Sequence, residues 1–422
     1  MIKICDAIMG SGKSSSAITY INEHPEKKYL YIAPYLDEAS RIKEACPALK
    51  FIEPSDNIKD YQFSKARHTM ALIERGKNVA TTHQAVRYYT PETLELLRSQ
   101  HYTVIIDEEI NIFQQATSIS DGDVDALRMA GLLTIDEYGC LAKTKLEYTG
   151  TAFAEIYNLL ETRKVIRIPG SGLNPPSWYC IYPKEFLEAP EEVIVLTYLF
   201  VGSEMEIFLK MNGIDYSFIG IDYTDGVYRF CDEPRYIPEY TKTIHEKIHV
   251  LDNDKLNAIG NDRTAMSMAW YKKDDDAIDT LRKNIKNFFR HIVDKSVHKS
   301  SERLCGIYTS DKSIWSKLSD KGYKNSALAF NCKATNKFRD KTVVAYPVNL
   351  FPNVGIKLYY EKHGYNLDED RFALSTMVQF IWRTAIRDGN EIWLYVPSIR
   401  MRTLLLDWMN NLSKGGVIAE NV

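Results

Sequence analysis

The sequence has no apolar run approaching the ~20 residues that would span a bilayer, and no charged-then-apolar opening of the kind that directs secretion. It has no low-complexity tract and no repeat at a fixed period, which argues against a disordered chain or a solenoid. Its seven cysteines, at 5, 46, 140, 180, 231, 305 and 332, are scattered singly and odd in number. Without paired spacing they suggest reduced thiols rather than zinc ligands or disulfides. Charge of one sign is also lacking: the net charge is −3, so the whole molecule is not a basic nucleic-acid coat. A local basic groove remains compatible with that balance. A cytoplasmic protein without a membrane partner is expected.

What is present is a soluble globular composition, 45% hydrophobic and 26% charged, with length enough for two or three domains. The 27 tyrosines are read mostly as packing, with some as base-stacking platforms. Short apolar runs alternate with amphipathic stretches, which points to α/β layering. In the first half the expected strands are Ile2–Cys5, Tyr29–Ala33, Asn78–Thr81, Thr103–Ile106 and Val193–Thr197. Such runs suit a parallel sheet buried on both faces. Residues 111–190 lack clear alternation and read as a helical insertion plus a loop. The second half offers amphipathic segments near 253–272 and 276–298, then strands Leu304–Thr309, Thr342–Pro347 and Ile392–Val396. A helical stretch, Ser375–Arg387, lies between the last two.

Two motifs carry chemistry. Ala7-Ile8-Met9-Gly10-Ser11-Gly12-Lys13-Ser14 follows a strand and opens a helix. Gly10 and Gly12 let backbone N–H groups turn inward, and the helix N-terminus adds its dipole, making an anion cradle. Lys13 would reach the β- and γ-phosphates of ATP and the Ser14 hydroxyl would ligand Mg2+, with Ser11 and Ser15 completing the cradle. The second motif is Val104-Ile105-Ile106 ending in Asp107-Glu108. Asp107 would hold the magnesium through water and Glu108 would polarise the attacking water. Carboxylates at the carboxyl end of a parallel strand face the ligand crevice of such a fold.

In their order these motifs resemble superfamily 2 helicases, the DEAD/DEAH-like group, and particularly compact examples encoded by bacteriophages. Asp107-Glu108-Glu109-Ile110 stands where that family has its acidic box. Ile32-Ala33-Pro34 and Thr81-Thr82-His83-Gln84 resemble segments that touch the nucleic-acid backbone, through Pro34, Thr82 and His83. Leu196-Thr197-Tyr198-Leu199 resembles the segment that couples hydrolysis to strand movement. Ala334-Thr335-Asn336-Lys337-Phe338-Arg339-Asp340 resembles a motif contacting nucleotide and strand, with Thr335, Asn336, Lys337 and Arg339 on nucleic acid. Gln379, Arg383 and Arg387 resemble the motif that supplies an arginine finger; their spacing of four and four would align them along one helical stripe. The family more often has those arginines three apart, so either can be the finger, Arg387 before Arg383.

The resemblance implies two RecA-like P-loop NTPase domains, 1–235 with the insertion at 111–190, and 236–422 with a helical segment at about 250–300. It implies an ATP-dependent helicase or translocase using Mg2+, acting on nucleic acid, DNA before RNA, with replication or recombination proteins as partners. The acidic box is not Asp-Glu-Ala-Asp, and the upstream glutamine motif that selects adenine is missing, which argues against a DEAD-box RNA remodeller. Rival readings are a nucleotide-switched clamp, a terminase-like DNA motor and a small-molecule kinase. Lys283, Lys286 and Arg290 form a basic side of the 276–299 segment, read either as a phosphate track or as a solvated face.

Overall fold

The structure is a computed structural model that describes residues 1–422 except 62–63, 149, 151, 171–174, 234–235, 274, 294–298, 309–311, 332–336 and 415–422. The chain forms two compact units: Met1–Tyr236 with Asn353–Leu367, and Ile237–Pro352 with Asp368–Val422.

The first unit is built on a parallel sheet of six strands: β1 (Ile2–Asp6), β2 (Lys28–Ala33), β3 (Val79–Thr82), β4 (Tyr102–Asp107), β5 (Glu192–Thr197) and β6 (Tyr216–Phe218). Their order is β6-β1-β5-β4-β2-β3, so β5 lies between the strand of the glycine loop and the strand of the acidic box. Alternate residues bury opposite faces: Leu30, Ile32, Val104, Ile106, Val193 and Val195 pack into one core, and Tyr29, Tyr31, Ile105, Ile194 and Leu196 into the other. Burial on both faces explains why these strands read as continuous apolar runs. The registers bring the carboxyl ends into line, Asp6 opposite Thr197, Leu196 opposite Asp107, and Ala33 opposite Thr82. Beyond β6 the chain makes an antiparallel hairpin, β7 (Gly220–Thr224) with β8 (Val227–Cys231).

The insertion is only partly helical, which corrects the expectation from the sequence. It holds helices Asp121–Met129 and Ala154–Thr162, but also an antiparallel sheet of Phe113–Gln115, Ser177–Ile181 and Lys164–Ile168 and a small hairpin of Leu133–Ile135 with Leu141–Lys143. Val165, Trp178 and Cys180 from the sheet meet Val124, Leu127 and Tyr157 from the helices in a separate small core. Strands of three to five residues are too short to show a period in the sequence. Tyr359 and Tyr360 of the 353–367 segment close edge-on against Phe113, at 5.4 and 5.5 Å between ring centres.

The second unit also carries a parallel sheet: β9 (Ile248–Val250), β10 (Arg303–Ile307), β11 (Ala327–Ala329), β12 (Val343–Ala345) and β13 (Ile392–Tyr395), in the order β9-β13-β12-β10-β11. Two α/β units with parallel sheets agree with the fold class expected. The helix expected to run over Ser375–Arg387 begins earlier, at Glu369, and ends at Ile381. Thr384 adopts an extended backbone, its hydroxyl donates to the Ile381 carbonyl at 2.6 Å, and the Ala385 N–H is taken by the Lys341 carbonyl at 3.0 Å. A threonine hydroxyl competing for helix carbonyls ends the helical run there. The amphipathic 253–272 segment is likewise several short helical turns, and the 276–299 helix is regular only over Asp275–Asn287.

Candidate nucleotide-binding site

β1 ends at Asp6 and helix α1 (Lys13–Glu23) begins seven positions later, leaving the turn 7–12 between them. Gly10 and Gly12 have φ of +76° and +90°, a region that other residues enter only at a cost of roughly 1–2 kcal/mol. Gly12 caps α1 without a side-chain acceptor for the first-turn amides, so those donors suit an anion. The Asp6 carboxylate accepts the N–H groups of Leu199 and Phe200 at 2.8 and 2.9 Å, and the Ala7 N–H donates to the Thr197 carbonyl at 3.1 Å. These bonds fix the loop base to the end of β5.

The Lys13 ammonium turns into its own loop, donating to the carbonyl of Ala7 and, at 3.1 Å, to that of Ile8. Burial pulls it below the usual lysine range, against the charges of Cys5, Asp6, Asp107 and Glu108.

Across the loop stands the carboxylate of Asp107, buried at the end of β4. Its Oδ2 accepts from the Tyr31 hydroxyl at 3.0 Å and the Ser14 hydroxyl at 3.4 Å. Burial, then the neighbouring Glu108 charge, push its pKa up to about 6, despite the Tyr31 bond and Lys13. The His83 imidazole Nε2 is 2.8 Å from the Asp107 backbone oxygen, so His83 braces β4 from the start of the helix that follows β3. Glu108 has a φ of +63° and donates its N–H to the Leu196 carbonyl at 2.9 Å. A non-glycine residue held there signals backbone strain at the box. Thr197 donates its hydroxyl to Glu109 at 2.7 Å. Thus the structure brings together Lys13, Ser14, Asp107 and Thr197, and adds Tyr31 and Asp6. Tyr31 escaped the sequence reading because, between Leu30 and Ile32 on a buried strand, its hydroxyl gives no local signal.

The donor set suits magnesium, which takes few protein ligands and keeps several waters: a hydroxyl and a carboxylate oxygen, both hard, 3.4 Å apart. No cluster of three His, Cys, Asp or Glu side chains that could hold a metal occurs among the described residues.

Pro34 follows β2 and Thr82 ends β3, at the same end of the sheet as Asp107. Thr82 also lines a cleft of about 630 Å³ with Lys65, Arg67, Gln84 and the exposed ring of Tyr88. In the second unit Lys337 and Arg339 occupy an exposed turn, and Arg339 forms a two-pronged ion pair with Asp388, Nε to Oδ2 at 2.8 Å. Thr335 and Asn336 lie outside the described residues. Gln379 is on the helix, donating to Ser375 at 3.2 Å, but Arg383 and Arg387 are not. The single stripe expected of the three is therefore replaced by a helix, a turn and a short 3-10 segment, Ala385–Asp388, in which Arg383 is buried and Arg387 exposed. Lys283 pairs with Asp279 at 2.8 Å, and Lys286 with Asp320 at 3.0 Å. That side is thereby a charge-balanced face.

A family profile described as the YonV C-terminal Rossmann-like domain matches residues 242–409. Over 421 residues the chain is 34% identical to the SPbeta prophage-derived uncharacterized protein YonV of Bacillus subtilis (strain 168), covering 97% of this chain and 99% of that protein. Among solved structures it is similar to an XPD helicase, at 10% identity over 100% of this chain and 96% of that one, with a TM-score of 0.42. It is also similar to Xpd4 of S. tokodaii, at 11% identity over 96% and 93%, with a TM-score of 0.41.

Proposed function

The chain belongs to the YonV family, and we propose that it is a Mg-ATP-driven motor of the helicase or translocase kind, acting on nucleic acid, DNA first. The observation that carries this is the Ser14 hydroxyl facing the Asp107 carboxylate across a glycine loop, with the strand of Thr197 between the strand that leads into the loop and the strand that ends in Asp107. Bound there, magnesium would be held by Ser14 and Asp107 and would neutralise charge building on the transferred phosphoryl group. Lys13 exchanges its loop carbonyls for phosphate oxygens, and Glu108 orients the attacking water as its base. The Thr197–Glu109 hydrogen bond, tied through Leu196 and Asp6 to the loop, offers a path by which loss of the phosphate is felt at the end of β5.

The cleft beside Thr82 is lined by Arg67 and the exposed ring of Tyr88, a cation and a stacking surface of the kind single-stranded nucleic acid uses, and also by Asp56, Glu92 and a Lys65 that lies 3.8 Å from Asp56. Pro34, Thr82 and His83, and Thr335, Asn336, Lys337 and Arg339 of the second unit, are proposed as its backbone contacts. Arg387, before Arg383, is proposed as the arginine on which hydrolysis depends, with Gln379 beside it in sequence. The prophage origin of the relative supports a role in phage replication or recombination within the host cytoplasm.

The test is ATP turnover by the purified full chain with and without single-stranded DNA, duplex DNA and RNA. Turnover should rise with a nucleic acid, DNA above RNA, and Lys13→Ala should abolish it. Hydrolysis that no nucleic acid stimulates removes the motor reading, and ATP binding without hydrolysis makes the protein a nucleotide-switched clamp.

A further inference from the structure

The β7–β8 hairpin has no counterpart among the motifs that make up the phosphate site, yet it reaches that site. Residue Tyr228 lays its ring on the Cα of Gly12, so that a methyl group added at Gly12 would collide with the ring. Two further tyrosines join it. Tyr223, its cross-strand partner, lies 4.4 Å away with the ring planes 30° apart. Tyr236, returned to the hairpin by an N–H bond to the Ile221 carbonyl at 2.9 Å, lies 5.2 and 5.6 Å from Tyr223 and Tyr228.

The hairpin is held firmly on α1. Arg229 pairs with Glu23 at the far end of that helix, 2.9 Å, and Phe230 packs on Tyr20 at 5.9 Å. These contacts already secure the hairpin, and Tyr223 adds little to them: 44% of it is exposed. An aromatic face kept partly in water beside an anion cradle has a use that packing does not supply. Gly12 precedes Lys13 and opens the helix that carries Ser14 and Ser15. The ring of Tyr228 thereby touches the residue from which that helix and its phosphate-facing groups start.

Building on the nucleotide reading above, we propose that the hairpin tyrosines form the stacking platform for the base of the bound nucleotide, with Tyr223 offering the exposed ring and Tyr228, which lies between Gly12 and Tyr223, carrying it on the loop. Ring faces attract any base, and a larger ring system more. Telling adenine from guanine needs hydrogen bonds to base edges, which ring faces do not make. The site therefore takes purine nucleoside triphosphates ahead of pyrimidine ones, with ATP and GTP bound within a few-fold of each other.

Calorimetric titration of the full chain in Mg2+ tests this, using ATP, GTP, CTP and inorganic tripolyphosphate as probes. Tyr223→Leu should weaken ATP about tenfold and tripolyphosphate hardly at all, since one base stack accounts for roughly that factor. Tyr223→Phe, which keeps the ring, should restore what Tyr223→Leu loses. Tyr228→Leu, which removes the ring beneath it, should weaken ATP a few-fold with the same selectivity. Equal weakening of ATP and tripolyphosphate, or no weakening in either leucine variant, overturns the platform while leaving the phosphate site in place. If the unaltered protein binds neither ATP nor tripolyphosphate, the phosphate-loop reading falls and this one with it.

Discussion

Glu192 offers a direct reading of how the first unit is held together. The residue opens β5, is nearly buried, and its carboxylate receives Lys3 at 2.7 Å, Lys27 at 3.1 Å and the Tyr20 hydroxyl at 2.6 Å. It thereby ties the start of β5 to β1, to α1 and to the entrance of β2. Burial alone would raise its pKa, but the bonds from Lys3, Tyr20 and Lys27 outweigh burial and hold it at about 2, against an ordinary value of 4.5. That gap corresponds to about 3 kcal/mol. Both lysine side chains are 33% exposed, so solvent screening reduces the contribution to about 1–2 kcal/mol.

Because the folded carboxyl titrates below the unfolded one, its stabilisation is complete above about pH 4.5 and drains away as the pH falls toward 2. Glu192→Gln keeps the shape and removes the charge. Urea unfolding of the two proteins from pH 7 down to pH 3 should show the variant less stable by about 1–2 kcal/mol at neutrality. The difference should shrink steadily below pH 4.5. A difference that is absent at pH 7, or that persists unchanged at pH 3, refutes the claim that the paired charge carries the stabilisation.

Two other substitutions probe the site. Gly12→Ala should destabilise the first unit by roughly 2–4 kcal/mol, from its left-handed backbone and the collision with Tyr228; in a double-mutant cycle Tyr228→Ala should recover the collision but not the backbone cost, and a coupling energy of zero would refute the contact. Arg387→Ala, at an exposed position, should slow ATP turnover while leaving ATP affinity and melting temperature near the parent values, and unchanged turnover removes it as the hydrolytic arginine. Arg383→Ala, at a buried one, should lower stability by about 1–3 kcal/mol, so a fall in its turnover without a fall in melting temperature would reverse the order of the two arginines.

The parts of the molecule that could be read from the sequence are those whose signal is local. β1 to β5 are short, largely apolar and mostly buried runs, and each lies within a residue or two of its expected bounds. Gly10, Gly12 and Lys13 announce their turn within eight residues, because the backbone there needs glycine and the charge follows at once. What stayed hidden depends on distant partners. The Tyr31 hydroxyl matters only because β2 pairs with β4 and so brings it to Asp107. The 375–387 stripe kept its apolar spacing on paper, but a carbonyl 44 positions upstream, at Lys341, takes the Ala385 N–H.

The β6–β8 region shows the same division most plainly. Its strands are three to five residues long and mix tyrosines with polar residues, so none of them is expected from the sequence, where the first domain runs on to 235 without a further strand. Only the packing of β8 on α1 turns Tyr228 toward Gly12. A phosphate-binding loop is legible because the phosphate meets backbone groups that neighbours in sequence supply. A base, in contrast, meets side chains, and a fold may bring those from any strand that ends nearby. Sequence motifs of this kind thus reveal the charge a site grips sooner than the ring it selects, and the hairpin tyrosines are where that second choice would be made.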